Sequence, residues 1–164
     1  MTEQDYTTTI AVARAAEDVF ADISDVGAWW GAIEGRADAV GAEFVYEVPD
    51  IHYSKFRVTE LVPGERIVWR VLDSRLTFVA DEREWDGTEV HFDLTARGDG
   101  TDVTFTHVGL HPGEECYDVC STAWRHFIER SLRALLVTGT GMPGTNPDGE
   151  PEAHEEWLDR FRAG

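Results

Sequence analysis

The sequence is poor in basic residues, in cysteine and in long apolar runs, and these shortages exclude several classes of function. Its 164 residues include 14 Lys and Arg against 32 Asp and Glu, a formal net charge of −18. Because the acidic residues are spread along the whole chain, a polyanion would meet repulsion almost everywhere. We therefore expect no nucleic acid and no anionic membrane surface among the partners.

Apolar runs are short throughout, and none approaches the ~20 residues needed to cross a bilayer. The N-terminal stretch MTEQDYTTTIAVAR has no basic region followed by an apolar run, so we expect a cytoplasmic protein. The two cysteines, Cys116 and Cys120, are too close in sequence to connect distant parts of a fold. In a reducing compartment both are expected to be free thiols.

Common catalytic motifs are also missing. The chain contains no Gly-x-Ser-x-Gly nucleophile elbow, no Walker-type phosphate loop and no His-Glu-x-x-His zinc motif. The glycine-rich residues 138–141 follow a helical pattern and do not join a strand to a helix, so they do not predict a phosphate site. These absences favour binding over catalysis, and no cofactor is expected.

The first part of the chain predicts a strand and two short helices. Residues 7–12 form a β-branched run typical of a strand, and apolar residues recur at helical spacing in 15–23. Asp25 stands where it can cap a second helix that carries Trp29 and Trp30.

From Gly41 onward the pattern changes to strands separated by tight turns. The predicted strands cover residues 43–48, 52–61, 65–72, 75–85, 89–97 and 102–110. Short turns between consecutive strands predict an antiparallel meander, which needs cover on one face.

One long amphipathic helix, residues 117–137, is predicted to supply that cover. Its apolar stripe consists of Cys120, Trp124, Phe127, Ser131 and Leu135, at spacings of three and four residues. We expect one domain over residues 1–138, followed by a Gly- and Pro-rich connector with a short C-terminal helix over residues 139–164.

A set of motifs resembles a known superfamily. The set is Trp29-Trp30, Gly41-x-x-Phe44, Val58-x-Glu60, Pro63-x-Glu65-Arg66-x-Val68-Trp69, Thr104-x-Thr106-His107-x-Gly109-Leu110 and Trp124. With the order of elements, it is similar to the START-like, or SRPBCC, superfamily and its AHSA-type branch. The resemblance implies an α+β helix-grip fold, START-like and Bet v-like, in which a curved antiparallel sheet wraps around a long C-terminal helix. It also implies an internal cavity, which members use to bind lipids, hormones or polyketides or to cyclise aromatic intermediates.

Strand alternation and side-chain chemistry suggest which residues line such a cavity. Aromatic rings with a polar edge suit a pocket for a flat or greasy molecule. The expected lining residues are Tyr46, Trp69, Phe78, Trp85, Tyr117 and Trp124, with Arg57, Glu84 and His107 as polar contacts.

The segment FTHVGLHPGEECYDVC, residues 105–120, raises the question of a metal site. His107, His111, Cys116 and Cys120 are acceptable zinc ligands, but their spacing matches no strong signature. The alternative is that the cysteines pack as small apolar groups while His107 supports the end of a strand. We favour this second interpretation and expect no metal.

Three functions remain open from the sequence. The leading hypothesis is binding of a small hydrophobic ligand, such as a lipid, a polyketide or another aromatic or isoprenoid molecule. The alternative is a cyclase- or hydrolase-type enzyme with His107 as general base and Glu84 or Arg57 as its partner. A co-chaperone that activates an ATPase rests on the family name alone. A homodimer is compatible with the sequence.

Overall fold

A computed structural model describes residues 5–145 of the chain. Strand β1 (Tyr6–Val12) is followed by helix α1 (Ala16–Ser24) and a 3₁₀ turn (Val26–Ala28). The remaining strands are β2 (Ile33–Gly35), β3 (Glu43–Val48), β4 (His52–Val62), β5 (Arg66–Leu76), β6 (Glu89–Arg97) and β7 (Gly100–Val108). The long helix runs over residues 117–138 and consists of α2 (Tyr117–Arg125), a π-helical segment (His126–Leu132) and α3 (Arg133–Thr138).

The strands form one antiparallel sheet, in the order β1-β7-β6-β5-β4-β3-β2. Consecutive strands from β2 to β7 pair as hairpins, and β1 closes the far edge beside β7, with Tyr6 opposite His107. The register of β4 against β5 shifts at Lys55/Phe56 and at Val58/Glu60. Such bulges bend strands and increase their twist, and the sheet curves accordingly.

The concave face of the sheet holds the core. In β7 every second residue is buried, namely Thr101, Val103, Phe105 and His107, as expected for a strand with one covered face. The predicted stripe of the long helix faces this surface, and all five of its residues are buried. The helix-grip fold and the position of its long helix are therefore confirmed.

The chain beyond the long helix turns back against the domain. Gly139 ends the helix in a left-handed conformation (φ 88°), which glycine adopts without a steric penalty. Ser131 Oγ then donates to the carbonyl of Trp29 (2.6 Å) and accepts from the amide of Met142 (2.7 Å). A side chain at Gly141 would lie 2.3 Å from the carbonyl oxygen of Ala28, so this close approach requires glycine.

Two local predictions were wrong, and one short strand was missed. The segment 75–85 is not a strand, because β5 continues to Leu76 and residues 77–88 form a loop of turns. This β5–β6 loop is rich in charged residues on its exposed side, while Trp85 points into the protein interior at 3% exposure. The second helix is only the short 3₁₀ turn, and the Asp25 side chain makes no capping hydrogen bond to it. The short strand β2 had not been expected.

No helix within residues 5–145 is long and apolar enough to span a membrane. The predicted C-terminal helix, and residues 146–150 of the connector that precedes it, lie outside the described residues.

Candidate functional site

A small cavity lies between the long helix, the β5–β6 loop and the end of the sheet formed by β3 and β4. Its lining residues are Trp30, Tyr46, Ile51, His52, Phe78, Trp85, Val119, Cys120, Ala123, Trp124 and Phe127. None of them carries a formal charge when histidine is neutral. The cavity has a volume of about 30 Å³, far below the ~300–1,000 Å³ of typical ligand pockets. The walls are therefore nearly in contact.

Aromatic rings make up most of these walls. Trp30 stacks on Tyr46 with ring centroids 4.0 Å apart, and Trp85 is nearly parallel to Trp124, at 5.9 Å and 10°. Trp30 also meets Trp124 at 4.8 Å. Flat faces and ring edges of this kind favour planar apolar molecules.

The β5–β6 loop covers one side of the cavity and is fastened to the start of the long helix. The Glu84 carboxylate accepts hydrogen bonds from the backbone amides of Glu115 (3.0 Å) and Cys116 (2.9 Å). In return, the Glu115 carboxylate accepts from the amide of Ala80 (3.1 Å). Glu84 therefore acts as an anionic cap for helix α2, contributed by a distant loop.

The environment of Glu84 acts on its pKa in two opposite directions. Burial raises the pKa of this carboxyl, but the hydrogen bonds from Cys116 and Glu115 outweigh that effect and hold the pKa below its usual value. The neighbouring Glu114 has a raised pKa, because of burial first and of its hydrogen bond with Glu84 second. Glu84 is therefore the more acidic carboxyl of the pair.

Trp85 presents a buried donor without an acceptor. Among the described residues, its Nε1–H has no hydrogen-bond partner although it is shielded from solvent. The indole N–H of Trp124 donates to His107 Nδ1 (3.0 Å), and that of Trp29 donates to the Ile23 carbonyl (3.0 Å). Trp69 Nε1 is also unpaired, but Trp69 does not line the cavity. Buried donors are nearly always satisfied, so an unpaired one in a cavity wall calls for an explanation.

His107 lies behind the cavity wall, and both of its ring nitrogens are used. Because Nδ1 accepts the Trp124 proton, the neutral ring carries its own proton on Nε2 and donates it to Thr88 Oγ1 (2.8 Å). The Thr88 hydroxyl in turn donates to the Trp85 carbonyl (2.6 Å). Burial, with a smaller contribution from His52, lowers the pKa of His107 to about 3. His107 thus joins strand, helix and loop as a neutral group.

His52 is the imidazole that does line the cavity. Its Nε2 is 2.9 Å from Ser54 Oγ, and its ring meets the edge or face of Trp85 at 4.8 Å and of Tyr46 at 5.4 Å. Burial lowers its pKa to about 3. At neutral pH this ring is uncharged and weakly basic.

The residues predicted to line the cavity divide into two groups. Tyr46, Phe78, Trp85 and Trp124 do line it. The others lie elsewhere: Trp69 in the core behind Trp30, Tyr117 half-buried at the helix start, Glu84 at the helix cap, His107 behind the wall, and Arg57 on the outer face of the sheet.

Arg57, predicted as a polar contact, does not face the cavity. Every second side chain of β4 around Arg57 points away from the core, and Arg57 is one of these. It is exposed and donates to the Glu43 carboxylate (2.6 Å). Trp30 and His52 were missed. Trp30 follows a turn whose direction the sequence does not determine. His52 could have been found, because it alternates with Ser54 and Phe56 in β4 and so shares their face of the sheet.

The four candidate zinc ligands do not converge, and no group of three potential ligands does so within the described part of the chain. His107 is fully engaged, and His111 pairs with Glu114 at 3.3 Å. Both cysteines are buried free thiols. The hydrogen bond with Cys120 and burial raise the pKa of Cys116 far above its usual value, so this thiol stays protonated.

Comparison with known proteins places the chain in a family and among related folds. The sequence profile of the Activator of Hsp90 ATPase homolog 1-like protein family matches residues 16–137. The structure is similar to the solution structure of the Aha1 dimer from Colwellia psychrerythraea, with a TM-score of 0.68 and 25% identity over 84% of this chain and 99% of that one. No curated protein sequence gives a significant match.

Two crystal structures share the fold at lower identity. DynU16, a protein in the dynemicin biosynthetic locus, has a TM-score of 0.65 and 19% identity over 85% of this chain and 49% of that chain, so this chain spans about half of DynU16. CalU16 from Micromonospora echinospora has a TM-score of 0.59 and 13% identity over 95% of this chain and 81% of that chain.

Proposed function

This chain belongs to the Activator of Hsp90 ATPase homolog 1-like family, and from that premise and the cavity we propose that it binds a small hydrophobic molecule between sheet and long helix. The observation that carries the proposal is the lining itself. Every wall residue is uncharged at neutral pH, most are aromatic, and one, Trp85, holds an unpaired donor. Apolar walls with a few placed polar groups are typical of small-molecule sites.

Binding requires the cavity to open, because about 30 Å³ holds no organic ligand. The first half of the β5–β6 loop is the element best suited to move. It contributes Phe78 to the wall, it forms no strand of its own, and the Ala80 amide fastens it to the helix by a hydrogen bond to the Glu115 carboxylate. Loops held in this way belong to the least stable parts of a structure. The second half, which carries Trp85, is bonded back to strand β5 at Val71 and stays in place.

The test is a thermal-shift screen of fatty acids, isoprenoids and aromatic polyketides, with mass spectrometry of each incubated mixture. A ligand at a hundredfold excess over its dissociation constant stabilises the folded state by about 2.7 kcal/mol. We expect neutral aromatic compounds to raise the melting temperature and to be recovered unchanged.

A variant of the cavity wall makes the screen specific. Ala123→Phe places a ring in the cavity from the long helix and should abolish the stabilisation by ligand. Thr122→Phe, a substitution at the preceding helical position, which does not line the cavity, serves as the matched control. If no compound stabilises the protein, or if Ala123→Phe responds like the wild type, the proposal is wrong.

The enzymatic alternative has less support. A general base needs a free lone pair and a pKa near the working pH, whereas His107 uses both nitrogens and the pKa of His52 is lowered to about 3. Conversion of a compound by the wild type in the same screen would support the enzymatic alternative. ATPase activation and dimer formation, which the names of relatives describe, stay predictions for this chain.

A further inference from the structure

We infer that Trp85 Nε1–H is the specificity-determining donor of the cavity and that the ligand is an uncharged planar aromatic molecule bearing an oxygen acceptor, such as a ketone. This inference rests on the proposed function, because it concerns the same cavity. It adds the chemical class of the ligand and the atom that recognises it.

The first step is the comparison of the indole groups. Trp124 and Trp29 each donate to a protein acceptor at 3.0 Å, whereas Trp85 has none among the described residues. Leaving a buried donor unpaired costs about 1–3 kcal/mol. A ligand oxygen that accepts from Trp85 would recover that free energy, and a hydrocarbon of the same shape would not.

The second step is that Trp85 is held in place before any ligand binds. Its ring stacks against Trp124 at 5.9 Å and makes edge-to-face contacts with His107 (4.7 Å) and His52 (4.8 Å). Its backbone carbonyl accepts from the Thr88 hydroxyl. A donor fixed by its surroundings loses little entropy on binding, so it discriminates well between ligands.

The third step excludes anions. The lining contains no Lys or Arg, and burial keeps His52 neutral at ordinary pH. A carboxylate or phosphate would lose its hydration without gaining a counter-charge, which is strongly unfavourable. The formal net charge of −18 adds long-range repulsion. Fatty acids in their ionised form are therefore poor candidates.

Three probes of nearly equal shape separate these contributions: 2-ethylnaphthalene, 2-acetonaphthone and 2-naphthoate. They present a methylene, a carbonyl and a carboxylate at the same place on the same ring system. Titration followed by tryptophan fluorescence should show that the wild type binds 2-acetonaphthone about tenfold more tightly than 2-ethylnaphthalene. It should bind 2-naphthoate more weakly than either.

Two matched variants assign the preference to one atom. Trp85→Phe keeps an aromatic ring but removes the N–H, and should bring the affinities for 2-acetonaphthone and 2-ethylnaphthalene close to equality. Trp69→Phe removes an equally buried and unpaired N–H that does not line the cavity, and should leave the tenfold preference intact.

The wild type also provides a test that needs no variant. The carbonyl stretching frequency of bound 2-acetonaphthone should be lower than its value in hexane, as expected for a carbonyl that accepts a hydrogen bond.

The outcomes distinguish the two proposals. If both neutral probes bind equally well and the carbonyl frequency matches that in hexane, the inference about Trp85 is overturned while the binding function stands. Tightest binding of 2-naphthoate would also overturn it. If none of the three probes binds while another compound of the screen stabilises the protein, the inference alone is overturned. If no compound of the screen stabilises the protein either, the proposed function fails and the inference fails with it.

Discussion

Replacing His107 by Asn should lower the stability of the protein at neutral pH and also reduce the dependence of that stability on pH. The Asn side chain retains an acceptor near the position of Nδ1, so it can still receive the Trp124 proton. It is too short to reach Thr88, which His107 Nε2 contacts at 2.8 Å. A lost hydrogen bond in this buried setting costs about 1–3 kcal/mol.

The pH dependence follows from the buried neutral imidazole. The pKa of His107 is about 3 in the folded protein and about 6.5 in an unfolded chain. Because the folded-state pKa is the lower one, the unfolded state binds an extra proton between these values. The associated stability is complete above pH 6.5 and is lost as the pH falls toward 3. By pH 5 the loss from this one residue is about 2 kcal/mol.

Urea unfolding at pH 7 and pH 5, followed by circular dichroism, measures both effects. The free energy of unfolding should fall with pH in both proteins, since His52 also has a lowered pKa, but by about 2 kcal/mol less in the Asn variant. Nitrogen-15 shifts of the imidazole should show the Nε2–H tautomer at both pH values.

If the free energy of unfolding fell equally in the wild type and in the Asn variant between pH 7 and pH 5, the argument that burial keeps His107 neutral would be refuted. A doubly protonated ring at pH 5 in the folded wild type would refute it independently, and would restore His107 as a candidate acid or base.

Two further substitutions test the contacts that hold the site together. Glu84→Gln should destabilise the protein by about 1 kcal/mol, since it weakens an anionic helix cap. Glu82 is exposed, so Glu82→Gln should change the stability little. Equal losses in urea unfolding would contradict the capping role of Glu84. Ser131→Ala should cost about 1–3 kcal/mol, because it leaves the Trp29 carbonyl and the Met142 amide without their buried partner. Ser121→Ala, whose hydroxyl makes only a 3.5 Å contact, is the control, and a comparable loss there would contradict the assignment.

The sheet and the long helix could be predicted because their patterns extend over many residues. Alternation along β7 correctly placed His107 on the buried face with Val103 and Phe105, and the five-residue stripe of the helix is buried as a whole. The segment 75–85 misled the same method. Its apolar beginning, Leu76 to Val79, resembles a strand, but the strand β5 has already ended where the loop folds over the cavity.

The candidate site was harder to predict, because its residues depend on contacts between distant segments. Glu84 was expected to bind ligand and instead caps the long helix from 32 residues away. His107 was predicted as a polar contact of the cavity. Instead it lies behind the cavity wall, where its Nδ1 accepts the Trp124 indole proton. No local pattern contains either pairing, so sequence reasoning could not predict these contacts.

The closed state of the cavity sets a lower limit on the size of its ligand. Moving Phe78 away from the long helix exposes apolar surface, at a cost of about 25 cal/mol per Å². Only open molecules bind, so the measured affinity is the affinity of the open form multiplied by the fraction of molecules that are open. A ligand must therefore cover most of the apolar surface that opening exposes. A planar ring system that enters between the aromatic walls covers such surface with both of its faces. Because a small or branched molecule leaves part of the walls in water, affinity should rise with the number of fused rings until the cavity is filled.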